Sequence, residues 1–224
     1  MEPFVIQDLA LVMVARNHNP TILNPDFLRA NHIVPDNWEL AGPPICVEPI
    51  ASVTYATGVN ITAQADHVTF AESVAGKHKA SVVLPDIAAK YVETLRHVNY
   101  RALGINPTGH LIFGQDAGPQ VREFIIKRFL APPQWGKWEQ PLWAAGVKLT
   151  FTVEPWMMNV RINEGIVQRP GKPPSAAIVV SGNFHKDLCG KTVEEHLKDL
   201  LDSLKQWTAA WDYFAKFIQD ALES

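Results

Sequence analysis

His185, Asp187, Cys189 and His196 are the densest gathering of ligand and acid–base side chains in the 224 residues. A His-x-Asp pair can hold a metal, or the carboxylate can orient the imidazole for proton transfer. A zinc site needs about four N, S or O ligands in tetrahedral reach, and this spacing matches no such motif. The plainer reading makes Gly182-Asn183-Phe184-His185-Lys186-Asp187 a polar strand-to-helix loop, with His196 beside a core leucine, Leu197. Asn17-His18-Asn19-Pro20 is a second candidate, because loops that leave buried strands are held by the scaffold and often carry sites. Its Asn and His suit acid–base work or amide recognition, and also ordinary turns.

The third candidate is aromatic. Trp135, Trp138 and Trp143 lie within nine residues, among Pro132, Pro133, Gly136 and Pro141. Rings on a stiff backbone present large area with little rotamer entropy to lose, which favours binding anchors. The alternative is a satellite cluster folded under a long loop. The uncharged row Ser52, Thr54, Asn60, Thr62, Gln64 and Thr69 is a further polar surface, with a solvated sheet face as its default reading.

Common enzyme signatures are missing. There is no Gly-x-Ser-x-Gly elbow, no Walker loop and no dinucleotide fingerprint. Gly109, Gly114 and Gly118 lack the required spacing. The net charge of −3 comes without a dense Lys/Arg run, and phosphate neutralisation needs clustered cations, which argues against nucleic acid as a partner. Cys46 and Cys189 fit no redox or metal spacing and read as reduced thiols. The N-terminal residues have no basic region before their apolar run, and no stretch reaches the roughly 20 apolar residues of a membrane span. A cytoplasmic protein is the expectation.

These residues need elements to hold them. Residues 4–15 are almost continuously apolar and read as a central strand covered on both faces. Residues 51–73 alternate with period two, which means antiparallel strands with one wet face. Asn24 can cap a short helix with Pro25 at its first position. Pro85 and Pro119 open two helices, striped by Ile87, Tyr91, Leu95, Val98 and by Val121, Phe124, Ile125, Phe129. Asn106-Pro107-Thr108-Gly109 reads as a type I turn, and Glu164-Gly165 as another. Strands follow over 147–153, 158–162 and 176–180. Thr192-Val193-Glu194-Glu195 is a capping box. With no Gly or Pro between Lys191 and Ser224, it should open one continuous helix over about 192–222, carrying Leu197, Leu200, Leu204, Trp207, Trp211, Phe214 and Ile218, with Trp211 a buried anchor.

The expected fold is therefore α+β. It is a single domain of mostly antiparallel sheet with helices on one face and a long C-terminal helix. The element order suggests a duplicated β-α-β-β-β-α unit over 4–98 and 99–222, with a weak echo in Phe27-Leu28…Trp38-Glu39 and Phe129-Leu130…Trp138-Glu139. A paired sheet of this kind is similar in arrangement to DNA clamps and saddle-shaped TATA-binding proteins; the low positive charge argues against carrying over their DNA binding. The functional expectation is a non-enzymatic binding or assembly protein, using Trp135, Trp138 and Trp143 on a protein partner, a ligand or a second copy, with no catalytic residues, metal or cofactor. The alternative is a metal-dependent or hydrolytic enzyme using the His185/Asp187/His196 region.

Overall fold

The computed structural model describes residues 2–130, 140 and 142–223. Its sheet strands are β1 (Val5–Arg16), β2 (Ile45–Val47), β3 (Ile50–Thr54), β4 (Val59–Gln64), β5 (His67–Ser73), β6 (Asn99–Gly114), β7 (Gly146–Val153), β8 (Trp156–Val167) and β9 (Ser175–Asp187). The helices are α1 (Pro25–Ala30), α2 (Leu84–Thr94), α3 (Gly118–Phe129), α4 (Val193–Leu204) and α5 (Trp207–Ile218). All nine strands join one antiparallel sheet in the order β2-β3-β4-β5-β1-β6-β9-β8-β7. The α+β class with antiparallel sheet holds.

Alternation builds the two faces. Leu9, Leu11 and Met13 of β1, Val68 and Phe70 of β5, Leu103 and Ile105 of β6, Val160 and Ile162 of β8, and Val180 and Phe184 of β9 are buried beneath the helices. The intervening residues point to the opposite face. The local signals for the helices are met. Asn24 Oδ1 accepts from the Phe27 amide at 2.8 Å, and Thr192 and Glu195 form the reciprocal capping box.

Outward from the central β1/β6 pair the order is β5, β4, β3 on one side and β9, β8, β7 on the other, with β2 in excess at one edge. That is a symmetry of arrangement, and a duplicated sequence does not follow from it. The short strand β2 lies within a proline-rich stretch that holds Pro43, Pro44 and Pro49.

Five expectations need correction. β1 is central but covered on one face only: Ala10 and Val12 are half-buried and Val14 is exposed on the other side. Asn106-Pro107-Thr108-Gly109 is not a turn and lies inside β6. Proline has no N–H for a ladder, and the β6/β9 pairing passes from Ile105 to Thr108 around it. Gly109 is there because β1 arrives too close for a side chain: a Cβ would stand 2.4 Å from the Val5 carbonyl and 2.6 Å from the Phe4 ring. Glu164-Gly165 also lies within a strand, β8, paired with Ile178 and Ala177 of β9, and a Cβ on Gly165 would meet Val179 at 2.5 Å. Residues 182–187, read as a loop, continue β9 through Asp187.

The last correction is the C-terminal helix, which is two. Lys205 and Gln206 stay near helical geometry, but the Gln206 amide bonds back to Ser203 at 3.0 Å, a tightened turn. A tertiary contact coincides with the break. Trp156 is 5% exposed, its buried indole N–H needs an acceptor, and Gln206 Oε1 supplies one at 3.2 Å. Beyond the break, Phe214 is fully buried while Trp207 and Trp211 are only half-buried. Phe214 fills space over Gly182, where a Cβ would stand 2.8 Å from its ring.

Candidate functional site

The aromatic candidate is placed in part. Trp135 and Trp138 lie outside the described residues. Trp143 stands just before β7 and is 88% exposed. Its neighbour Leu142 is tied down through its carbonyl, which accepts from Arg122 Nη1 at 3.0 Å.

The His185 region divides. His185 and Asp187 share one face of β9, with His185 Nε2 3.3 Å from Asp187 Oδ1. They border a cleft of about 410 Å³ that also touches Met157 and Cys189. His196 does not join them; it stands on α4, with its Nε2 3.1 Å from the Gly190 carbonyl. The Cys189 amide donates to Asp199 at 2.8 Å. Asp199 in turn takes Lys186 Nζ at 2.5 Å, which clips α4 to β9 beneath the sheet. Among the described residues, no three His, Cys, Asp or Glu side chains converge closely enough to hold a metal ion.

His18 is 3% exposed. Its Nε2 lies 2.8 Å from the Tyr91 hydroxyl, and the two rings stack at 6.1 Å. Burial pushes its pKa below the usual histidine value, partly offset by the Gln64 backbone. A neutral imidazole shut in against a buried tyrosine is a packing element. Asn17 before it takes φ 56°, the left-handed region that Asn tolerates.

The broadest polar surface is the helix-free face of the sheet. Its side chains range from exposed, as for Arg161, to half-buried, as for Asn106 and Asn183, with Ala102 buried among them. On the β3/β4 side, Asn60 Nδ2 donates to Thr54 Oγ1 at 2.8 Å and to Ser52 Oγ at 3.1 Å, and Thr62 Oγ1 donates to Asn60 Oδ1 at 2.9 Å. These are residues of the uncharged row read from the sequence. In the middle run Ala10, Val12, Ala71, Ala102 and Gly104, small and apolar.

On the other side a ladder crosses four strands. Thr150 Oγ1 donates to Asn159 Oδ1 at 2.9 Å, Asn159 Nδ2 to Asn183 Oδ1 at 3.4 Å, and Asn183 Nδ2 to Asn106 Oδ1 at 2.7 Å. Gly104 leaves room for it, since a Cβ there would stand 3.3 Å from Asn183 Nδ2. Each carboxamide oxygen in this chain accepts. Each donating carboxamide has two N–H groups, and the ladder uses one. The result is a surface with spare donors.

Sequence reasoning missed this row. Asn106 was read into a turn and Asn183 into a loop. The signal lay in the pattern, because Asn159, Asn183 and Asn106 all sit at the polar phase of their strands; bringing them into line needed the register. No known protein family matches the chain, and no curated protein matches it either.

Proposed function

We propose that this is a non-enzymatic binding protein of the cytoplasm that takes an acceptor-bearing ligand on the helix-free face of its sheet. The observation that carries the reading is the asparagine ladder, whose oxygens are all engaged while amide N–H groups are left over. An acceptor-bearing ligand can take the place of water on these N–H groups, and a few placed polar groups of this kind fix a ligand's orientation. The exposed Trp143, just before the outer strand β7, is suited to contribute apolar area at the rim. Two exposed free cysteines fit a reducing compartment, and no described helix is long and apolar enough to cross a membrane.

Methionine methyl NMR tests this directly. Met157 is 48% exposed on the ladder's face, one rung from Asn159, whereas Met13 and Met158 are buried under the helices. A screen of small amides, carboxylates and phosphates should give binders that shift the Met157 methyl and leave Met13 and Met158 in place. Asn183→Leu should abolish those shifts. Binders that never perturb Met157, or no binders at all, would refute the assignment.

A further inference from the structure

The ladder ends beside two cations that have no partner among the described residues. Lys148 of β7 and Arg161 of β8 stand directly opposite each other in the sheet register, on the helix-free face. Like charges so placed destabilise a strand pair. Neither side chain takes part in an ion pair or hydrogen bond among the described residues. With Asn159, Ser181 and Asn183 they line a cleft of about 290 Å³.

Carboxylates are kept away from it. Glu164 of β8 points to the opposite face, where Arg122 and the Ala145 amide hold it. Asp187 shares the face of Ser181 but stands six residues along β9, about 20 Å away. Asp8 shares the row through Thr108 and Ser181, yet it is three strand spacings from Arg161, about 14 Å. His185, the other titratable group on this face of β9, is paired with Asp187.

We infer that the cleft between Lys148, Arg161 and the Asn159–Asn183 ladder is a binding site for a phosphate-type oxyanion. The deduction rests on the proposed use of this face and deepens it. Two cations supply charge, and a guanidinium fits two oxygens of a phosphate at once. The Ser181 hydroxyl and the spare carboxamide N–H groups supply neutral donors. An oxyanion has only acceptors to offer, which matches the amide N–H groups that the row leaves over. It also relieves the repulsion between Lys148 and Arg161.

The competing role for Lys148 is that of a guard. β7 is an edge strand, and exposed lysines on edges deter sheet-to-sheet pairing. The two roles give opposite results.

Inorganic pyrophosphate is titrated into the full chain at low ionic strength, followed by calorimetry, thermal melting and the Met157 methyl. Binding should raise the melting temperature by mass action. Lys148→Gln and Arg161→Gln should each weaken binding at least about tenfold. Without ligand, both variants should melt at or above the temperature of the parent, because each removes one of two facing like charges. Vesicles containing phosphatidic acid form a second arm. Co-sedimentation lost in both variants assigns the oxyanion to a lipid headgroup; pyrophosphate binding without co-sedimentation assigns it to a soluble phosphate. Absence of pyrophosphate binding, or binding that both variants leave unchanged, overturns the site. Self-association of Lys148→Gln without any phosphate effect overturns it in favour of the guard. If neutral amides still shift Met157 while pyrophosphate does not, the oxyanion alone is lost and the binding face stands.

Discussion

Replacing Glu72 probes a charge buried where the alternation of β5 calls for an apolar residue. Glu72 follows Val68 and Phe70 on the helix side and is 1% exposed. Its Oε2 accepts from the Val83 and Leu84 amides at 3.1 and 3.0 Å, and its Oε1 takes Lys77 Nζ at 2.9 Å. The carboxylate thus closes the amino end of α2, where Val83 offers no side-chain cap, and negative charge suits that end of the helix dipole. Glu72→Ala strands two amides, at about 1–3 kcal/mol for each buried unsatisfied group. It does not strand the lysine, whose side chain is 32% exposed and can turn to water. The expected loss is therefore about 3 kcal/mol, at the low end for a broken buried pair. Lys77→Met leaves both amide contacts in place and should cost about 1 kcal/mol or less, as for a partly exposed pair. Glu72→Gln keeps one acceptor and should fall between them. Urea unfolding at neutral pH, with m-values compared, measures all three. Should Lys77→Met cost as much as Glu72→Ala, the lysine and not the helix end would be what Glu72 serves, and the reasoning would fail.

Three other outcomes are expected. Phe214→Ala should cost about 3–5 kcal/mol, as for a fully buried ring, whereas the half-buried Trp211→Ala should cost about 1–2 kcal/mol; equal losses in urea would contradict this placement of α5. Gly109→Ala should lower stability by about 1–3 kcal/mol through forced overpacking against Phe4 and the Val5 carbonyl, read as a drop in urea midpoint. His18 has a folded pKa below its ordinary value of 6.5, so the stability it contributes is present above that value and lost as pH falls through it toward the folded pKa; the melting temperature should drop between about pH 7 and pH 5, and drop less in His18→Gln.

Where local chemistry decides the structure, the sequence was readable. Asn24 before Pro25, the Thr192 capping box, and the alternation of Val59, Ile61 and Ala63 each specify their element without help from distant residues. The misreadings share one physical origin, since each involves a residue whose conformation is set by something far along the chain. Pro107-Thr108-Gly109 has turn composition, yet the glycine answers the close approach of Phe4 and Val5, more than 100 residues earlier. Lys205-Gln206 has no helix breaker, yet the helix turns there, beside a contact to Trp156, 50 residues away. Glu72 falls at an inward position of β5, and only the amino end of α2, laid across it, explains a carboxylate there. The candidate site suffered most, because its side chains come from four strands.

That dependence on register also explains how a polar row can be held so well in line. On β6, β9 and β8 the residues flanking the asparagines are Ile105, Phe184, Met158 and Val160, all buried beneath the helices. A slip of one residue in any strand would turn Phe184 or Val160 out to water and drive Asn183 or Asn159 under α4 and α5. Burying an amide without partners is costly, and exposing a phenylalanine forfeits about 1.5–3 kcal/mol of burial. The apolar face therefore enforces the alignment of the polar one. The ladder needs little energy of its own, and hydrogen bonds at 2.7–3.4 Å suffice because the core has already removed the alternatives. The register of β7 on β8 keeps Lys148 opposite Arg161, and a one-residue slip of β7 would turn the half-buried Val147 and Leu149 out to water. A repulsion that the core holds in place is available to be relieved by a ligand.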